Sequence, residues 1–365
     1  MKEIFLVFLR LGLLGFGGPV ATIAMMEDEA TRKRRWLSQE RFTEIYAVCK
    51  LLPGPVATQM AIYLGLIRGG IRGGLLSGTL FILPAFLLVL GLSYLYTASG
   101  VTQRFSFALL GMQAGALVVI LASTYRLSLP YQKRLGAWIL AFGSAWIVAA
   151  SPGWEPLIIL FSGMVGALYW TYGARLRNRT FSFIGIPIIL TQLFWTCFKA
   201  GAFVFGTGLA VVPVLEGDAV QRFHWLTHSE FMDGLAIGQI TPGPVVITST
   251  FIGYKTAGLP GAFVATFGMF LPAFFNVLFL VPRIWKRFSG TPGAQGFSAW
   301  AIPAVIGGIL GTSVHLGWMT LQTPFAIGMF TLSSWIAFQF RPPAWLLLIL
   351  AGLLGSLAGP LCSIH

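Results

Sequence analysis

The motif Pro-Gly-Pro occurs twice in this chain, at residues 53–55 and 242–244, each time within an apolar segment. Proline has no backbone donor and clashes with the carbonyl group four residues earlier, so a helix cannot continue through the motif. Inside a bilayer, broken backbone is tolerated only where protein buries it or where it lines a polar cavity. Breaks at matching places in two halves of a chain are typical of a transporter's binding site.

The chain around both motifs is strongly apolar. Of its 365 residues, 56% are hydrophobic and 10% are charged, which is less than half of the charged fraction of a soluble domain. Apolar runs at 75–95, 107–125, 262–281 and 344–361 have about the length that crosses a bilayer. The formal net charge of +13 comes from basic residues between these runs, a distribution typical of cytoplasmic loops rather than of nucleic-acid binding. The sequence predicts an all-α polytopic membrane protein.

The two motifs belong to an internal repeat. Shifting the sequence by 189 residues aligns 10–55 with 199–244 without gaps, so that Trp36-Leu37-Ser38 falls on Trp225-Leu226-Thr227 and the two Pro-Gly-Pro motifs coincide. After the loss of one residue, a shift of 188 aligns the Leu-Pro-Ala-Phe sequence at 83–86 with that at 271–274. We therefore expect two homologous halves, 1–180 and 181–365.

Each half is expected to contain two broken segments joined by a charged linker and followed by plainer membrane helices. In the first half these are 4–25, the linker 27–44, 45–67, and helices at 74–97, 105–125, 136–150 and 156–173. In the second half they are 194–215, the linker 216–230, 231–254, and helices at 261–282, 297–317, 323–339 and 343–361. The segment 181–193 is expected to be additional.

Loop charges indicate how the halves are oriented. The first linker contains five basic residues between 32 and 41, whereas its counterpart contains only Arg222. The bias is reversed in the loop near 104, because the equivalent loop at 283–287 has three basic residues where the first half has Arg104 alone. Because positive loops stay cytoplasmic, equivalent loops are expected on opposite faces. The halves are thus predicted to form an inverted repeat, which supports alternating access.

Glycine clusters form a second pair of breaks, at 15–19 and 205–208. Helix halves that begin beside such breaks direct free backbone donors and the positive end of the helix dipole toward an anion. Close packing of helices through small residues is the alternative. The symmetric placement favours a substrate site, and the candidates are Gly17, Gly18, Gly206, Thr207 and Gly208.

Polar side chains flank the Pro-Gly-Pro motifs, although hydrocarbon disfavours them. A lysine at membrane depth usually faces a cavity or a partner, and hydroxyl and amide groups can donate to oxyanion oxygens. Hydrogen bonding between helices is the alternative for the hydroxyl groups, Ser249 among them. The predicted binding residues are Lys50, Pro53, Gly54, Pro55, Thr58, Gln59, Gln239, Thr241, Pro242, Gly243, Pro244 and Thr248.

Four charged residues stay in register between the halves. Arg10 aligns with Lys199, and this pair either lines an access path or extends to the membrane interface. Glu27 aligns with Glu216. A carboxylate near a cavity mouth can couple transport to protons, whereas a helix cap or a salt bridge is the structural alternative. These four residues are predicted to act in coupling or gating.

Signatures of an enzyme are not found in the sequence. The four histidines have no metal-ligand spacing, and neither a phosphate-binding loop nor a nucleophile elbow occurs. We therefore expect no metal, no cofactor and no enzymatic activity.

Several of these motifs together resemble the chromate ion transporter family. They are Phe16-Gly17-Gly18-Pro19, Leu52-Pro53-Gly54-Pro55, Trp225-Leu226-Thr227, Gly238-Gln239 with Thr241-Pro242-Gly243-Pro244, and Phe251-Ile252-Gly253-Tyr254. The resemblance implies a transporter of the bacterial inner membrane that exports chromate, with sulfate as a structural analogue, driven by an ion gradient.

Two positions depart from the family pattern. Lys50 stands where glutamine is expected, and Thr207-Gly208 stands where a second Gly-Gly is usual. The lysine widens the expected substrate to tetrahedral oxyanions in general. The alternatives are an oxyanion channel and a membrane-embedded lipid-handling enzyme. The expected partners are the anion and the lipid bilayer, without nucleic acid, and a homodimer stays open.

Overall fold

A computed structural model describes residues 1–16, 18–98, 105–132, 134–150, 158–159, 161–165, 188–204, 208–281 and 292–362. Within these ranges the regular structure is helical and no strand occurs. Four stretches are long and apolar enough to cross a membrane: Val56–Thr97, Ser106–Tyr131, Val245–Leu280 and Ala299–Thr320. The predicted all-α polytopic class is confirmed.

The first half begins with two pairs of helices that are interrupted at the predicted breaks. Its α-helices are α1 (Lys2–Leu14), α2 (Gly18–Glu27), α3 (Gln39–Leu51), α4 (Val56–Thr97), α5 (Ser106–Ser128) and α6 (Leu135–Ala150). A π-helix, Asp28–Lys33, continues α2. The glycine-rich break thus lies between α1 and α2, and the Pro-Gly-Pro break lies between α3 and α4.

The second half repeats this order. Its α-helices are α7 (Ile188–Ala202), α8 (Val211–Glu216), α9 (His228–Ile240), α10 (Thr248–Phe275), α11 (Pro292–Thr320), α12 (Pro324–Gln339) and α13 (Ala344–Cys362). A π-helix, Gly217–Arg222, follows α8 at the position of the first one, because 28 + 189 = 217 and 33 + 189 = 222. The next helix of each half starts at an equivalent N-cap, Ser38 for α3 and Thr227 for α9.

Helices α4 and α10 are hairpins. Gly70 and Gly258 both have a φ of 61°, a left-handed conformation that favours glycine, and the chain reverses there. Ser77 Oγ donates to the carbonyl of Ala61 at 2.8 Å, although these residues would be about 24 Å apart along a straight helix. The first leg of α4, residues 56–68, is about 20 Å long, which is too short to cross a bilayer core. The segment after the first Pro-Gly-Pro is therefore re-entrant.

The halves interlock through their long helices. Helix α4 packs against α10, and α5 of the first half packs against α9, α11, α12 and α13 of the second. Residues from both halves share one buried apolar cluster, for example Val89 and Ile120 with Phe251 and Met269. Burying apolar surface between the halves stabilises their association, so neither half has a separate core.

Two predicted boundaries are wrong. The linkers at 27–44 and 216–230 are largely helical, because the π-helices and the N-terminal turns of α3 and α9 occupy them. Ion pairs from Lys33 to Asp28 and Glu29 stabilise the first π-helix. Residues 188–193 are the start of α7 rather than part of an additional segment. The predicted helix at 156–173 and the boundary at 180/181 lie largely outside the described residues and stay predictions.

Candidate functional site

The two Pro-Gly-Pro motifs interrupt their helices as predicted. Helix α3 ends at Leu51 and α4 begins at Val56, while α9 ends at Ile240 and a 3₁₀ turn begins at Val245. Gly54 and Gly243 have φ angles of 129° and 98°, a region that side chains with a Cβ rarely adopt. The glycine of each motif is therefore required by the backbone conformation.

Each Pro-Gly-Pro motif is hydrogen-bonded to the glycine-rich break of the opposite half. The amide of Gly54 donates to the carbonyl of Val204 at 2.8 Å, and the amide of Gly243 donates to the carbonyl of Gly15 at 3.0 Å. Gly15 and Val204 are equivalent positions, because 15 + 189 = 204. Two symmetric bonds thus bring all four broken segments together at the contact between the halves.

Amide side chains from both halves hold the first motif. The carbonyl of Pro53 accepts hydrogen bonds from Gln59 Nε2 and from Asn276 Nδ2, both at 2.7 Å. Gln59 was predicted at this site, but Asn276 was not, since it lies in a π-helix after α10 and its equivalent in the first half is Leu88. An isolated buried amide in an apolar run is the signal that could have identified Asn276.

Several buried polar atoms beside the breaks have no hydrogen-bond partner among the described residues. A buried polar group without a partner costs about 1–3 kcal/mol, so such groups in a native structure are candidates for ligand binding. These atoms are Thr58 Oγ1, Gln59 Oε1, Ser249 Oγ, and both amide atoms of Gln239. The two hydroxyl groups and the Gln239 amide nitrogen can donate to an anion. In contrast, Thr241 and Thr248 donate to backbone carbonyls of their own segments.

Lys50 lies in the last turn of α3, one turn before Pro53, and is exposed. No carboxylate pairs with it in the part of the chain that the structure describes. Its predicted contact with an anion stays a prediction. Pro55, Pro242 and Pro244 are backbone elements of the two breaks and are buried.

Arg10 and Lys199 form equivalent ion pairs. Arg10 lies 3.9 Å from Glu29, and Lys199 lies 2.6 Å from Asp218. The acidic partners are themselves in register, because 29 + 189 = 218. Burial alone would raise the pKa of Glu29, but hydrogen bonds from Lys33 and Arg34 outweigh it and lower the pKa below its ordinary value. The sequence analysis missed this second acidic pair, which the same alignment contains.

The two carboxylates predicted for coupling have different surroundings. Glu27 ends α2, is partly exposed, and accepts a hydrogen bond from the side-chain amide of Gln39. Glu216 ends α8, is 2% exposed, accepts a hydrogen bond from Gln221 at 3.0 Å, and lies 3.6 Å from His315. Only Glu216 is thus a buried carboxylate next to a second ionisable group.

Three predicted residues, Gly17, Gly206 and Thr207, lie outside the described residues. Gly18 begins α2, and Gly208 begins a 3₁₀ turn that ends at Ala210. No group of three or more potential metal ligands is found in the described ranges.

A family model described as chromate transporter matches the chain twice, over residues 2–167 and 191–356. The chain belongs to the chromate transporter family. The two matches also confirm two homologous halves within this member of the family, and its apolar helices make it a multi-pass membrane protein.

Curated relatives of this family member are similar over most of their length. A probable chromate transport protein of Synechococcus elongatus is 35% identical, covering 97% of this chain and 95% of the relative. A chromate transport protein of Cupriavidus metallidurans is 35% identical over 87% and 82%, and one of Pseudomonas aeruginosa is 31% identical over 98% and 92%. No solved structure matches the chain.

Proposed function

We propose that the chain exports chromate, or a related tetrahedral oxyanion such as sulfate, across the bacterial inner membrane. The observation that supports this proposal best is the set of unpartnered polar atoms beside the two Pro-Gly-Pro breaks. The relatives named as chromate transport proteins support the substrate class.

The proposed site binds the anion mainly through neutral donors. Thr58, Gln239 and Ser249 supply hydroxyl and amide protons, and the exposed ammonium group of Lys50 lies one turn from the first break. Neutral donors stabilise an oxyanion without binding it so strongly that release becomes slow. Lys50 adds a point charge at the approach to the site.

The proposed mechanism is secondary transport by alternating access. The two equivalent hydrogen bonds from Gly54 and Gly243 join each half to the opposite half, so a movement of one half is transmitted to both pairs of breaks. Inverted repeats that move against each other around a central site are the usual basis of alternating access. The opposite orientation of the halves is part of this proposal.

Proton linkage is proposed to involve Glu27 or Glu216. Burial disfavours the charged form of a carboxyl group, and Glu216 is the buried member of the pair. Glu27→Gln and Glu216→Gln should then reduce the dependence of flux on a pH gradient. Variants that only lose folded protein, with an unchanged pH dependence in the remainder, would favour a structural role.

The test is the flux of radiolabelled chromate and sulfate in proteoliposomes, with and without a pH gradient. A proton-linked transporter accumulates the anion above its electrochemical equilibrium when a pH gradient is imposed. A channel accelerates equilibration without accumulation, and protein-free liposomes give the leak rate. Failure of the purified chain to move either anion faster than the leak would contradict the proposed function.

A further inference from the structure

Asp233 is a buried carboxylate that joins the halves of the molecule. It lies on α9, six residues before Gln239, and is 3% exposed. Its Oδ2 accepts a hydrogen bond from the Tyr96 hydroxyl at 2.8 Å, and its Oδ1 accepts one from Gln113 Nε2 at 2.9 Å. Tyr96 belongs to α4 and Gln113 to α5, so both donors come from the first half.

Among the described residues, no cation forms an ion pair with Asp233. On the same helix, Glu230 lies 2.9 Å from Lys255 of α10, and the Lys255 ammonium group lies 5.7 Å from the centre of the Tyr96 ring. Other surrounding helices bring little charge. His315 of α11 faces Glu216 and His228, and the sequence of α13 contains no charged residue. An ionisable group buried in a membrane protein without a counter-charge points to a function.

The equivalent carboxylate in the first half has an ordinary surface environment. Glu44 aligns with Asp233, because 44 + 189 = 233, but Glu44 is exposed and pairs with Arg41 at 2.6 Å. The repeat therefore retains an acidic residue at this position, and only the second half places it between the halves. This asymmetry is what a single coupling site in a pseudosymmetric molecule requires.

We propose that Asp233 is a proton-binding site whose occupancy is linked to oxyanion binding beside Gln239. This inference rests on the proposed function. Six residues of α9 separate the two positions, which is about 9 Å along the helix. A bound anion favours the neutral form of a nearby carboxyl group, and by reciprocity a proton on Asp233 strengthens anion binding.

The proton changes the contact between the halves. A proton taken from water forms an O–H bond on Asp233 Oδ2, which then donates to the Tyr96 oxygen instead of accepting from it. The Tyr96 hydroxyl proton has to turn to another acceptor, and the charge-assisted character of both hydrogen bonds is lost. Release of the anion returns the proton to water, so that only this O–H bond forms and breaks.

The experiment measures proton uptake by the purified full-length chain when sulfate is added, using a pH indicator dye in weakly buffered detergent solution. The wild-type protein should take up protons as sulfate binds, and its sulfate affinity should rise by at most tenfold for each pH unit of acidification. Asp233→Asn should still bind sulfate but should show no linked uptake and a flat affinity profile.

Matched variants distinguish the outcomes. Glu44→Gln, at the equivalent position in the first half, should behave as wild type. Tyr96→Phe removes one donor to the charged form, so its proton uptake should be centred at a higher pH, which gives an independent readout if Asp233→Asn does not fold.

Three results would contradict the inference: Asp233→Asn with wild-type uptake, Tyr96→Phe with an unshifted profile, or loss of uptake in Glu216→Gln but not in Asp233→Asn. Sulfate binding by the wild type without any proton uptake would also refute it while leaving the proposed function intact. If neither sulfate nor chromate binds to the wild type, the proposed function itself fails.

Discussion

Replacing Gln239 by methionine should stabilise the empty protein and weaken its affinity for oxyanions. Gln239 is 5% exposed, and neither its amide nitrogen nor its amide oxygen has a hydrogen-bond partner among the described residues. Methionine has a similar shape and no polar group to satisfy, so it should fill the same space without strain. The two effects have opposite signs, which separates a binding residue from a residue that braces the fold.

The expected magnitudes follow from the burial of this side chain. Each buried polar group without a partner costs about 1–3 kcal/mol, so the free energy of unfolding of the empty protein should rise by at least that amount. The loss of one hydrogen bond to a charged ligand should cost about 1.5–3 kcal/mol, or roughly 10- to 100-fold in the dissociation constant. Thermal denaturation in detergent and equilibrium binding of radiolabelled sulfate measure the two quantities.

Gln113→Met is the matched control for the sign of the stability change. Gln113 is also a buried glutamine, but its amide donates to Ser229 Oγ and to Asp233 Oδ1, both at 2.9 Å. The same substitution there removes satisfied hydrogen bonds and should lower the melting temperature. The reasoning would be refuted if Gln239→Met lowered the melting temperature as Gln113→Met does, with sulfate affinity unchanged.

Three further predictions concern orientation, charge and the break. Cysteine labelling should place the 31–41 linker in the cytoplasm and the 219–229 linker in the periplasm; labelling from one side for both would exclude an inverted repeat. Lys50→Gln should fold and bind sulfate about 10- to 100-fold more weakly, whereas wild-type affinity would limit Lys50 to a structural role. Gly243→Ala should destabilise the protein by about 1–3 kcal/mol in thermal denaturation, because alanine strains the positive φ that directs its amide to Gly15; an unchanged melting temperature would contradict this.

The positions of the helix breaks could be predicted from local chemistry. Proline removes a backbone donor wherever it occurs, and the structure ends α3 and α9 directly before the two Pro-Gly-Pro motifs. The repeat was equally predictable, because the spacing of 189 residues is a property of the sequence and the π-helices, N-caps and reversals recur at that spacing or at 188.

The linkers show where sequence reasoning was insufficient. A run of charged residues such as 27–44 is typical of a solvated loop, yet ion pairs at short spacing and capping bonds close it into helical turns. The hairpins in α4 and α10 were not predicted either, because a Gly-Gly or Ala-Gly pair permits reversal without requiring it. Contacts such as that of Gly65 with Gly73 determine that the chain folds back there.

The sequence by itself determined the membrane class, the two halves and the four breaks, because hydropathy, missing donors and duplicated motifs act locally. Only the tertiary structure decided which distant groups meet. It joins Gly54 to Val204, brings Asn276 to Pro53, and places Asp233 between the halves while its counterpart Glu44 stays exposed. These contacts connect residues more than 100 positions apart, and they depend on how the hairpins of the two halves pack, which no local pattern encodes.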